Sequence, residues 1–200
     1  MTTARDLALV TLGLPPDRPV EQGDLSLVLA GAEALDLLES GALTLDGDRM
    51  VPGLRVTTGD RLLDQALASL VRREPYETVG DWLWRRGARL AAAYAEDLER
   101  AGLIVPPRGI GFWSRFTRTA PADSPERRRA EERRASGEPV LAALTAFLRT
   151  GDASSDDCRS LDGDAANAVL AAVGDAVTEL EAVRLCRDVE GSAFDNIWRG

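Results

Sequence analysis

The sequence predicts a mainly α fold: a helical bundle core with flanking amphipathic helices and two small β-hairpins, in a single domain over residues 1–200. Three observations predict it. Apolar residues recur at three- and four-residue steps along most of the chain, the period of a helix that buries one face. Helix-starting residues (Asp60, Thr78, Ser124) stand just ahead of those periodic stretches. Strand-like patterns are confined to two short regions, each built around glycine-containing turns. Two hundred residues suffice to bury a core without disulfides or metals.

Thr3 to Leu12 reads as a short helix ending before Pro15-Pro16. Asp24 is the expected N-cap of a helix running to about Ser40, with Leu27, Val28, Ala34, Leu35 and Leu38 on its core-facing side. Leu43 to Val51 alternates around Asp46-Gly47-Asp48 and predicts a hairpin. Asp60 caps the next helix, whose buried stripe is Leu63, Leu67, Leu70 and Val71; Asp60 and Asp64 read as a cap and a solvated acid. After Pro75, Glu77 or Thr78 restarts a helix that turns Val79, Trp82 and Leu83 inward. Gly87 separates it from another with Leu90, Tyr94 and Leu98 four apart, closed by Gly102. The second hairpin is expected over Leu103–Thr119. Ser124-Pro125 opens a polar helix, Glu138-Pro139 an apolar one ending near Arg149, and Asp164 to Arg187 forms the last helix. Phe194, Ile197 and Trp198 in the tail are expected to dock on the body.

Composition excludes several chemistries. The chain has no histidine, and all 24 basic residues are arginine, as a GC-rich genome favours. Without imidazole there is no Ser-His-Asp or Cys-His catalysis and no common zinc site. Without lysine there is no Schiff base and no phosphate-loop lysine. Cys158 and Cys186 are far apart and read as reduced and structural. No cofactor and no metal are expected. No apolar run is long enough to cross a bilayer, and the first residues lack an export signal, so a cytoplasmic location is expected, peripheral on the cytoplasmic face of a membrane.

The net charge of −9 argues against nucleic acid as a partner. It is unevenly spread. Residues 1–71 carry 5 Arg against 11 acids, residues 72–149 carry 15 against 11, and residues 150–200 carry 4 against 11. The basic middle points to an anionic partner.

Within and beside that middle lie three collinear motifs: Thr57-Thr58-Gly59-Asp60-Arg61-Leu62-Leu63-Asp64-Gln65-Ala66-Leu67, then Pro75-Tyr76-Glu77-Thr78-Val79-Gly80-Asp81-Trp82, then Leu98-Glu99-Arg100-Ala101-Gly102-Leu103. Their order and spacing resemble the Golgi phosphoprotein 3 family, whose eukaryotic members are peripheral membrane proteins that read phosphatidylinositol 4-phosphate. The resemblance covers roughly residues 3–148 and leaves 150–200 as a divergent C-terminal part. It implies a mostly helical domain, a non-enzymatic adaptor role, and a protruding apolar hairpin that enters the membrane or mediates self-association. It also implies a headgroup pocket of a tryptophan and arginines held where helices meet. The positions here that align with those residues are Glu21, Ala30, Ala88 and Ala91, so this chain departs from the pattern at all four.

Three groups of residues are candidates for function. In the expected hairpin, Phe112, Trp113 and Phe116 sit among Arg108, Arg115 and Arg118, with no acid from Leu103 to Ala122. Burying three such aromatics in a headgroup boundary is worth about 5 to 9 kcal/mol gross, and each arginine near an anionic leaflet adds about 1 kcal/mol. The other reading of these aromatics is packing against the body or a second copy, giving a homo-oligomer. Arg85, Arg86 and Arg89 flank Gly87 at a helix start, where free backbone N–H groups favour anions; the competing reading pairs them with Glu77, Asp81 or Glu96. Third, Glu126 to Arg134 is arginine-rich but self-compensating through one-turn pairs. The partners expected are anionic lipid headgroups, a protein partner, and further copies of this chain.

Overall fold

The computed structural model of the protein describes residues 2–11, 20–54, 56–104, 124–150 and 163–197, with side chains of the last helix described through Arg187. The mainly α expectation holds. In order come α1 (Thr3–Thr11), α2 (Gln22–Glu39), β1 (Leu43–Asp46), β2 (Arg49–Pro52), α3 (Arg61–Ser69), α4 (Val79–Gly87), α5 (Leu90–Arg100), α6 (Pro125–Ala135), α7 (Pro139–Thr150) and α8 (Asp164–Ile197). Among the described residues there is one hairpin, antiparallel, pairing Leu43 with Pro52 and Asp46 with Arg49. Its loop is therefore Gly47–Asp48, one position later than an Asp-Gly turn. The second expected hairpin has only Leu103 and Ile104 within the described residues.

Helix α2 is the axis of the fold. Every residue from Leu25 to Leu37 is buried, because α1, α3, α4, α5, α7 and α8 all pack around it. A helix enclosed on all sides needs no polar face, and the single core stripe expected from its spacing is widened accordingly. The expected cap is corrected too. Asp24 lies inside the first turn, Glu21 holds the cap position without a side-chain bond, and Asp24 instead pairs with Arg184 of α8 at 2.9 Å.

Other sequence signals hold. The Asp60 carboxylate accepts from the Leu62 and Leu63 N–H groups at 2.9 and 3.1 Å. The Thr78 hydroxyl accepts from Asp81 N–H at 3.0 Å and that of Ser124 from Arg127 N–H at 3.1 Å. Leu90, Tyr94 and Leu98 are buried on α5, and Trp82 is fully buried with its indole N–H on Ala30 O at 3.2 Å. Two expectations fail. Val71 is 37% exposed because α3 ends before it. Asp64 is more than a solvated acid: it accepts from the Thr58 N–H and hydroxyl at 2.8 and 2.9 Å, tying down the loop ahead of α3.

The last helix is longer than its periodicity suggested. α8 continues to Ile197, about 50 Å at 1.5 Å per residue, so Phe194 and Ile197 belong to it. It packs mainly on α2 and α4, with Val169, Leu170, Val173, Ala176 and Val177 buried.

Candidate functional site

Between α4 and α5 the chain reverses over two residues, Ala88 and Arg89, and this turn is pressed against the start of α2. A Cβ on Gly87 would lie 3.3 Å from Ser26 O and 3.4 Å from Leu27 Cδ2, so any larger residue would have to push α2 back by a few tenths of an ångström. The Ser26 hydroxyl then accepts the Ala91 N–H at 3.2 Å. Arg89 is held in the left-handed region at φ +63°, without a side-chain cap on α5. On the other side α8 comes equally close: a Cβ on Gly23 would meet Leu180 and stand 2.7 Å from Arg184 Nη2. Two glycines thus bring three helices together.

Between them is a cleft of about 330 Å³ whose walls include Gln22, Ser26, Leu27, Trp84, Arg89 and Leu180. Trp84 is 41% exposed, unlike the fully buried Trp82. The cleft opens on the N-terminal end of α5, where backbone dipoles favour negative charge. Arg89 is exposed and, among the described residues, pairs with no acid. Arg184 stands at the edge beside Gly23, bound to Asp24.

The other two arginines of the predicted cluster are turned elsewhere. Arg85 grips Glu77 at 2.6 to 3.0 Å, donates to Ser69 O at 3.2 Å and lies 5.2 Å from the Trp82 ring centre. Arg86 reaches inward to Glu33, with Nε–Oε2 at 2.7 Å and Nη2–Oε1 at 2.9 Å, and also donates to Leu62 O at 3.0 Å. The Tyr94 hydroxyl completes the carboxylate's shell at 3.1 Å. Burial pushes the Glu33 carboxyl above its usual range against the pull of Arg86, and burial also holds the Tyr94 phenol well above its own. Of the three, only Arg89 lines the cleft.

From the most distinctive motif, Thr57 to Asp60 and Leu63 line a second and larger cleft of about 820 Å³ together with Arg5, Asp36 and Arg129. Its polar atoms already have structural work: Asp60 caps α3 and Asp64 holds Thr58. Nearby, Asp97 binds Arg5 at 2.7 Å, Arg61 at 3.0 Å and Arg100 at 2.9 Å. Burial raises its pKa, but the Arg61 and Arg5 hydrogen bonds outweigh this and hold it below the usual aspartate value.

In the polar helix, Arg127 pairs with Glu131 at 2.7 Å as the one-turn spacing predicts, whereas Arg133 leaves α6 to bind Asp6 of α1 at 2.9 Å. Arg108, Phe112, Trp113, Arg115, Phe116 and Arg118 lie outside the described residues, as does Cys158. Cys186 is a free thiol, reduced as expected, but it is exposed and so has no structural part in the core. Among the described residues no cluster of acidic or cysteine side chains could hold a metal ion, and no helix is long and apolar enough to cross a membrane.

Sequence reasoning missed Trp84 and Arg184. Helical spacing correctly put Trp82 in the core, and the same spacing puts Trp84 on the opposite, outward side; an outward indole beside arginines was the available signal. Arg184 carried none, since its place depends on Gly23, 161 positions away in the chain.

These observations define a mainly helical domain with a small, largely apolar cleft, carrying one arginine, where three helices meet. The chain belongs to the Golgi phosphoprotein 3 (GPP34) family, whose model matches residues 4–187. The match extends past α7 and along most of α8. No curated protein and no solved structure matches the chain.

Proposed function

We propose that this is a non-enzymatic peripheral membrane or adaptor protein that takes an anionic lipid headgroup in the cleft between α2, the α4–α5 turn and α8. One observation carries the reading. Of the positions aligned with the family's headgroup residues, Ala88 is part of the cleft wall and Glu21 precedes the wall residue Gln22, while Ala30 and Ala91 are fully buried in α2 and α5. The cleft still offers one indole and one guanidinium, Trp84 and Arg89, from neighbouring positions. A phosphate accepts charge-assisted hydrogen bonds from arginine, while the flat apolar indole suits the carbon skeleton of a headgroup. The aromatic and arginine side chains at Arg108, Phe112, Trp113, Arg115, Phe116 and Arg118 would add contact with the bilayer, or with another copy of the chain.

Vesicle flotation tests it. Recovery is expected to be severalfold higher with anionic than with neutral vesicles and to fall in Trp84→Ala and Arg89→Ala, two exposed positions whose loss leaves the core intact. Equal recovery on both kinds of vesicle overturns the proposal. Light scattering of Phe112→Ser/Trp113→Ser reports separately on self-association.

A further inference from the structure

We infer that the headgroup held in this cleft is a phosphodiester with one negative charge and uncharged hydroxyls, rather than a phosphomonoester. The inference rests on the headgroup reading above and goes beyond it by assigning the ligand's chemical class.

Charge accounting carries it. A phosphomonoester brings about −1.5 to −2 charge near pH 7, and drawing it from water requires matching positive charge. The cleft has one arginine in its wall, Arg89. Its neighbours cannot be added without breaking other bonds: Arg85 is bound to Glu77 and Arg86 to the fully buried Glu33. Arg184 reaches the rim already neutralised by Asp24 at 2.9 Å. Ala88 in the wall and the fully buried Ala30 and Ala91 bring no charge. The α5 terminus is also partly committed, since Ser26 has taken the Ala91 N–H. Exposed Glu21 next to the wall adds negative charge. One guanidinium matches one phosphodiester.

The rest of the lining suits the remainder of such a headgroup. Gln22 offers both amide donors and an acceptor for hydroxyls. Trp84, Leu27 and Leu180 present apolar surface to the carbon frame. About 330 Å³ is at the small end of ligand cavities, which run from roughly 300 to 1,000 Å³, and fits a glycerol or inositol headgroup better than a bulkier one.

The test is flotation of the full chain on neutral phosphatidylcholine vesicles doped with phosphatidylglycerol, phosphatidylinositol or phosphatidylinositol 4-phosphate, at mole fractions giving equal surface charge. Recovery on the first two is expected to equal or exceed that on the third, and Arg89→Ala is expected to lower it at least threefold. Ala88→Arg, at an exposed position, is expected to raise recovery selectively on phosphatidylinositol 4-phosphate. Any reproducible preference of the unaltered chain for phosphatidylinositol 4-phosphate at equal surface charge overturns the inference but leaves the headgroup cleft standing. Binding to none of the three, or binding indifferent to Arg89→Ala, overturns both.

Discussion

Glu33 and Arg86 form a two-bond ion pair in the middle of the helical body, the carboxylate fully buried and the guanidinium 15% exposed. The pair fastens α4 to α2 next to the turn that shapes the cleft. Two opposite charges in low dielectric compensate each other's lost hydration, and neither is tolerable alone. Replacing Glu33 with leucine strands Arg86 and is expected to cost about 3 to 5 kcal/mol. Adding Arg86→Met is expected to recover most of that loss. Urea denaturation of both variants measures it.

Asp97 gives the chain a defined acid sensitivity. Its carboxyl is held below its usual 3.8 mainly by Arg61 and Arg5, against the upward push of burial. A depressed folded-state value means the stabilisation is complete above the unfolded value and disappears as pH falls through the folded one. Asp97→Asn is therefore expected to lose about 2 kcal/mol near neutral pH. The gap from the unaltered protein is expected to narrow as pH drops below 3.8. Unfolding curves at pH 7 and at stepwise lower pH report both effects.

Gly31 sets the spacing of α2 and α8. A Cβ there would run into Val173 Cγ2, on a fully buried β-branched side chain whose χ1 is restricted. Alanine improves helix propensity by about 1 kcal/mol, but overpacking costs about 1 to 3 kcal/mol. Gly31→Ala is expected to be destabilising on balance, and Gly31→Ala/Val173→Ala to restore much of the loss. Thermal melts of the pair decide it.

Asp60 is a cap within the chain's most recognisable motif. Asp60→Ala is expected to cost about 1 kcal/mol and Asp60→Asn much less, since asparagine caps nearly as well. Chemical denaturation separates the two variants. If the motif serves structure, neither change alters vesicle recovery once the protein is folded.

Local features of the fold were legible in the sequence. Thr78, Asp60 and Ser124 cap where they were expected, because capping depends only on atoms two or three residues away. The spacing of Leu90, Tyr94 and Leu98 likewise declares the inner face of α5. What stayed hidden depends on distant partners. Glu33 and Asp36 look like solvent-facing acids on α2, yet both are buried. Asp36 accepts the Thr3 and Ala4 N–H groups at 2.8 and 3.1 Å, capping a helix more than thirty residues earlier. The cleft was hidden for the same reason. Arg89 stood in the predicted cluster, but Gly23, Gly87 and Leu180 become its surroundings only when α8 closes over α2.

That closure has a consequence for the order of assembly. α8 begins at Asp164, more than a hundred residues after α2 ends at Glu39, so a nascent chain carries its innermost helix well before the segment that shields it has left the ribosome. During that interval the surface destined for Val169, Val173 and Val177 is bare and prone to sticking. Translation speed between α2 and α8, or a chaperone waiting on α2, would then govern the yield of native protein.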